Sequence, residues 1–352
     1  MRKIEIALFL ILLSFSCQKT SAPDVCDDST TSLYKLAKFE VGVAVNVGLL
    51  QSNPAYRNIV INQYNVVKPE ISSLVSYIHP QQYVYDYSDF DYLANFCATY
   101  HKHFQGANLM YQLYLPAWVT NFKGDKEAWD SLAKSHIQTV VSHYKGVIES
   151  WMVVNEGIKE DGSLDNNFWQ QHLGDDYVEK FFTWAHEADP DATLFYNDYN
   201  LESNPTKMDA ALKLADRLRS KGIRIDGIGM QMHIYSNYPS VDEINRAAQK
   251  VAAHDYKVYY SEWDISFNYL KDKTEFTNAM KQQQKDIIKN VVKGYKELPV
   301  KYQYGISFWN VGDSDSWIRS NFHRIDWPLM FDDQYKPKPA YCGFVEALNE
   351  PL

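Results

Sequence analysis

Cysteine is scarce in this chain, with four residues in 352, at Cys17, Cys26, Cys97 and Cys342. None has metal-ligand spacing and the set implies no disulfide framework, so Cys97 and Cys342, in apolar helix-like contexts, are expected to be core thiols. An excess of basic charge is also lacking. Lys and Arg total 35 against 44 Asp and Glu, a net charge of −9 that argues against nucleic acid or an anionic membrane surface as partner. No Gly-rich phosphate loop follows the first strand candidate, which weakens a nucleotide-binding open sheet. No internal repeat or low-complexity tract divides the chain.

What is present is apolar and aromatic. Hydrophobic residues make up 45% of the chain, enough for one large core, and its 26 Tyr and 9 Trp include rings suited to stacking on sugar faces. The N-terminus reads as a targeting segment rather than fold. Arg2 and Lys3 precede the apolar run Ile6 to Leu13, too short to span a bilayer, and the run closes on Leu13-Ser14-Phe15-Ser16-Cys17. This resembles a lipoprotein cleavage box, with Cys17 as the lipidated first residue of an exported bacterial lipoprotein of the cell envelope. Simple secretion, or a periplasmic location, is the alternative, because Phe15 fits the box poorly. Gln18 to Ser32, rich in Ser, Thr and Asp, reads as a tether. The expected organisation is a signal peptide over 1–16, a lipidated tether over 17–32 and a single catalytic domain over 33–352. The only membrane contact expected is the anchor, and the protein is expected to act as a monomer.

Short apolar runs then alternate with amphipathic stretches. Strands are expected at Val41–Val45, Gln63–Val67, Leu109–Leu113, Ile148–Val154, Thr193–Tyr196, Gly227–Gln231, Val258–Tyr260 and Gly305–Phe308. Helices are expected at Asp89–His103, Lys126–Tyr144, Asp175–His186, Thr206–Ser220, Val241–His254 and Thr274–Lys296, where apolar residues recur at three and four. Eight strands with interleaved helices favour an α/β fold closed as a (β/α)8 TIM barrel.

In such a barrel, reactive groups sit just past the C-terminal ends of strands. Two strand candidates end in a carboxylate, Trp151 to Glu156 and Val258 to Glu262, and a third delivers Gln231 and His233. Hydrolysis of a glycosidic bond uses such a pair. One carboxylic acid protonates the leaving oxygen, and a second carboxylate attacks or stabilises the oxocarbenium-like carbon.

At these residues the chain resembles glycoside hydrolase family 10, the retaining β-1,4-xylanases, collinearly from about Phe39 to Leu348. Trp151 to Glu156 is similar to the family's acid/base strand and Ser261 to Asp264 to its nucleophile strand. Tyr196 to Asn200, Ile225 to His233, Phe308 to Trp317, Pro328 to Asp332 and Lys336 to Tyr341 match in order. The resemblance implies Glu156 as acid/base, Glu262 as nucleophile, and His233 with Asp264 as the pair orienting the nucleophile. It implies sugar contacts from Asn65, Lys68, Tyr111, Asn155, Gln231, Trp309 and Trp317, and no metal or organic cofactor. The implied partner is a polysaccharide or oligosaccharide, with xylan or a substituted xylan foremost.

The chain departs from the family on one side of the cleft. Tyr64 stands for a Glu after strand two, and Ala107, Tyr111 and Tyr114 stand for a sugar-contacting His, a Trp and a Gln after strand three. Tyr64 and Tyr114 are expected to offer stacking surfaces instead. The alternatives left open are a different β-glycan or small β-glycoside as substrate, and a carbohydrate-binding lipoprotein that hydrolyses little.

Overall fold

Runs rich in Val, Ile and aromatic residues form nine parallel-paired strands in the structure, a computed structural model that describes residues 31–351. They are β1 (Glu40–Val45), β2 (Val66–Pro69), β3 (His103–Gly106), β4 (Ile148–Asn155), β5 (Thr193–Asp198), β6 (Gly227–Met230), β7 (His233–Tyr235), β8 (Lys257–Ser266) and β9 (Gln303–Trp309). Strands β1 to β6 pair in chain order, β9 pairs with β1 and β8, and the β6–β8 pairing closes the ring. β7 lies outside the eight-stranded ring and pairs only with the far half of β8, from Asp264 to Ser266. This is the (β/α)8 barrel expected. The signal peptide, Cys17 and nearly all of the tether lie outside the described residues.

Helices surround the ring at Ser88–Tyr100, Lys126–His143, Tyr177–Ala188, Pro205–Ser220, Val241–Ala253, Asn278–Lys296 and Pro339–Asn349. Their starts follow from side chains that satisfy free backbone N–H groups. Asn204 accepts from Lys207 N ahead of Pro205, and Ser240 with Glu243 forms a reciprocal capping box.

The third strand corrects the sequence reading. It is His103–Gly106, not Leu109–Leu113, and the expected helix Asp89–His103 ends at Tyr100 to make room for it. Leu109 and Met110 are buried as a strand's residues would be, but only one bridge, Met110 to Val154, pairs this segment. Gly106 is required where it stands, since a Cβ there would lie 2.1 Å from the Trp151 ring. The second strand is also displaced. Gln63 ends the helix Pro54–Gln63, and β2 begins only at Val66.

Cys97 is a buried free thiol, as expected. Cys342 corrects the reading: it is disulfide-bonded, and its partner is not among the described residues. Burial in the apolar helix Pro339–Asn349 marks a core position equally well for a thiol or a half-cystine.

Candidate active site

Glu156 directly follows β4 in a left-handed conformation (φ 56°), and its N–H donates to Asn197 O at 2.9 Å. The chain turns sharply off the strand here, which holds the carboxyl over the barrel mouth. The loop behind it is fixed by β5. Tyr196 Oη accepts from Gly157 N at 3.0 Å and donates to Asp198 Oδ2, while Lys207 Nζ sits 2.9 Å from Asp198 Oδ1. Burial lifts the Asp198 carboxyl to about 7 despite Lys207 and the Tyr196 hydroxyl beside it.

Three side chains hold the Glu156 carboxyl. Tyr111 Oη donates to Oε2 at 2.7 Å, and Gln231 Nε2 and Asn155 Nδ2 donate to Oε1 at 3.0 and 3.2 Å. Gln112 Nε2 donates to the Glu156 carbonyl at 2.9 Å. A cavity of about 450 Å³ opens beside Glu156, lined among others by Gln112, Lys159, Glu160 and Tyr199.

Glu262 is the sixth residue of β8 and is buried. Asn197 Nδ2 donates to its Oε1 at 2.7 Å, and His233 Nε2 lies 3.3 Å from its Oε2. The other face of the imidazole meets Asp264, with Nδ1 to Oδ2 at 2.9 Å, and Trp317 Nε1 donates to the same oxygen at 2.7 Å. Burial alone would lower the His233 pKa. Asp264 and then Glu262 outweigh it and raise the imidazole to about 10, so at neutral pH a charged His233 donates to both carboxylates. Burial raises the Asp264 carboxyl, opposed by His233 and Trp317.

Asn197 joins the two halves. Its Nδ2 also lies 2.8 Å from Asn155 Oδ1, and Ser261 Oγ donates to its Oδ1 at 2.6 Å. A Cβ on Gly229 would lie 2.3 Å from that oxygen, so a glycine on β6 leaves the room the amide occupies. One chain of hydrogen bonds thus runs from Glu156 through Asn155 and Asn197 to Glu262. Sequence reasoning passed over Asn197 as a site residue. The signal was the one that flagged Asn155-Glu156, a buried apolar strand ending in paired polar residues.

The structure therefore brings together Glu156, Glu262, His233, Asp264, Asn155, Gln231, Tyr111, Trp309 and Trp317, the last two rings centred 6.5 and 4.8 Å from His233. Lys68 reaches the same place from below, fully buried, with its ammonium on the Ser261 carbonyl. Asn65 is a correction. It precedes β2, where its Oδ1 accepts from Val41 N at 2.8 Å and its Nδ2 donates to Glu40. That is the N-terminal end of the barrel, opposite the carboxylate pair, so its amide fastens β1 to β2 and is out of reach of a sugar in the cleft. Tyr64 corrects the other expectation on this side, being buried and packed near Phe308 with no face open for stacking. Tyr114 is 62% exposed and does offer a free ring. The residue that follows the C-terminal end of β2 is Glu70, also passed over. Burial raises its carboxyl, opposed by the amides of Asn310 and Asn46 that face it.

Comparison with known proteins places this geometry in a family. The model described as glycosyl hydrolase family 10 matches residues 30–347. The chain is 35% identical over 356 residues to a β-1,4-xylanase of Dictyoglomus thermophilum, covering 97% of each chain. It is 34% identical to an endo-1,4-β-xylanase of Geobacillus stearothermophilus, covering 87% of this chain and 95% of that one. Among solved structures, xylanase 10B of Thermotoga petrophila RKU-1 in complex with xylobiose superposes with a TM-score of 0.85 at 30% identity, covering 90% of this chain and 97% of that one. The chain belongs to glycosyl hydrolase family 10 and is a glycoside hydrolase.

Proposed function

We propose that the protein is an endo-β-1,4-xylanase that cleaves xylan or a substituted xylan with retention, by double displacement. The observation that carries the reading is the chain of hydrogen bonds joining Glu156 to Glu262 across Asn155 and Asn197. It links two carboxylates from different strands through side-chain amides, which supports their acting as the pair this chemistry uses. The names of the relatives, and the xylobiose bound by one of them, support the choice of substrate.

In this reading Glu262 attacks the anomeric carbon while Glu156 gives its proton to the leaving oxygen, and a glycosyl ester forms on Glu262. Water, deprotonated by Glu156, then cleaves the ester. Charged His233, braced by Asp264 and Trp317, holds and aims the nucleophile. Asn155, held by Asn197 and Gln231, is placed to bond the sugar hydroxyl next to the reacting carbon. Trp309 and Trp317 wall the ring.

The test is product analysis on β-1,4-xylan and xylo-oligosaccharides, beside a Glu262→Ala variant, with the anomer of the first product read by NMR. Short β-anomeric oligomers from wild type alone support the reading. Intact xylan, or α-anomeric products, would sink it.

We further infer that the protein is exported and anchored by lipid at Cys17. The basic and apolar start and the cleavage box support this, as does the disulfide at Cys342, a bond favoured in oxidising compartments. Incorporation of labelled fatty acid that survives Cys17→Ser would refute the anchor.

A further inference from the structure

Lys68 lies on β2 opposite Ala44 and is fully buried. Its ammonium donates to the Ser261 carbonyl and lies 3.5 Å from Tyr259 Oη. It sits 5.2 Å from the Trp309 ring centre and 5.3 Å from that of Tyr259. Beneath it runs a column of polar groups. Tyr259 Oη donates to Gln105 Oε1 at 2.6 Å and meets Ser307 Oγ at 2.6 Å. Gln105 Nε2 donates to Ser150 Oγ at 3.0 Å, and Tyr304 Oη donates to the same oxygen at 2.6 Å.

Barrels of this type usually fill their interior with branched apolar side chains. A buried ammonium is costly unless something uses or balances its charge. Here burial brings the lysine down to about 7, and the opposing influence is the charge of Glu262. The carbonyl it holds belongs to the residue immediately before Glu262.

We propose that Lys68 is a positioning residue for the nucleophile, fixing the Ser261–Glu262 peptide from beneath and balancing the carboxylate's charge, an inference that rests on Glu262 being the nucleophile. The neighbours of this pair are Asn197 from β5, His233 from β7, Tyr259 and Asp264 from β8, Trp309 from β9 and Tyr111 beyond β3, with Glu156 after β4 reached through Asn155 and Asn197. Of the charged groups, His233 meets Glu262 from the side and is shared with Asp264, Glu156 carries the same sign as Glu262, and Lys68 approaches from below. Because coupling between two sites is reciprocal, neutralising Glu262 must lower the affinity of Lys68 for its proton, and neutralising Lys68 must make Glu262 harder to ionise.

The test uses the full chain and an activated 2-deoxy-2-fluoro β-xylobioside, which leaves a neutral ester on the nucleophile. Mass spectrometry locates the ester. The labelling rate is then followed against pH in wild type, Lys68→Met and Lys68→Arg. Lys68→Met is expected to label about tenfold more slowly, with the acid limb of the profile moved up by about half a pH unit or more, and Lys68→Arg to restore that limb. A side chain that only fills the barrel would leave the limb in place. Wild type supplies a second readout that needs no variant. In ¹³C-lysine NMR, the midpoint of Lys68 is expected to fall when Glu262 is esterified. An unmoved midpoint, or an unmoved limb in folded Lys68→Met, overturns the proposal. Wild type that takes no label on Glu262 overturns the nucleophile assignment beneath it, a distinguishable result.

Discussion

Tyr111 Oη donates to Glu156 Oε2 at 2.7 Å, so a phenol from the loop after β3 is fastened to the carboxyl proposed as acid/base. Burial, followed by the charge of Glu156, pushes the phenol well above its ordinary pKa, and the hydroxyl remains a donor across the working pH range. Together with Gln112 on the Glu156 carbonyl, it ties this loop to both the side chain and the backbone of Glu156. The resemblance implies a sugar contact for Tyr111, and the structure adds this second contact.

Removing the Tyr111 hydroxyl alone tests that contact. A hydrogen bond to a charged group is worth roughly 1.5–3 kcal/mol, so Tyr111→Phe is expected to lower kcat/KM by about 10- to 100-fold. Unchanged kcat/KM on xylo-oligosaccharides in folded Tyr111→Phe would show the contact to be idle.

His233 carries a prediction about stability. Its folded pKa, about 10, lies above the ordinary 6.5. The folded protein therefore binds the proton more tightly than the unfolded chain does. That stabilisation is full below about pH 6.5 and is lost as pH rises through about 10. Denaturant melts of wild type and His233→Asn should differ most at pH 6 and converge toward pH 10. A difference independent of pH would mean that the ring is held neutral.

Much of this was legible in the sequence, for identifiable reasons. Buried strands ending in Asn155-Glu156 and in Ser261-Glu262 combine apolar runs with carboxyls, and that contrast survives without coordinates. β3 was hidden because it has only four residues, one of them the buried Gln105, while Leu109 and Met110 mimic a strand through burial alone. Placing the second strand at Gln63–Val67 instead of Val66–Pro69 moved Asn65 from one end of the barrel to the other. An error of a few residues in a short strand is enough to reverse a functional reading. The bonded state of Cys342 depends on a residue distant in sequence, which periodicity cannot reveal.

Lys68 should show the opposite dependence to His233. Its folded pKa, about 7, lies below the ordinary 10.5, so the unfolded chain binds the proton more tightly. The cost of burying the charge is full below about pH 7 and disappears as pH rises to about 10.5. Wild type should gain stability relative to Lys68→Met across this window, by up to a few kcal/mol, since each tenfold loss of proton affinity on folding is worth roughly 1.4 kcal/mol. Parallel stability curves for the two proteins between pH 7 and 10 would contradict the burial of a titrating ammonium.

Asn65 separates a structural role from a role in the cleft. Its amide joins Val41 N and Glu40 at the start of the barrel, while the carboxylate pair lies beyond the opposite strand ends. Asn65→Ala leaves the Val41 N–H without its acceptor and is expected to cost about 1–3 kcal/mol of stability. At a temperature well below its lowered Tm, kcat/KM on xylo-oligosaccharides should stay within about twofold of wild type, because no group in the cleft has moved. A large rise in KM with Tm unchanged would return Asn65 to the sugar-binding set. It would also require β2 to present Asn65, and not Glu70, to the mouth of the barrel.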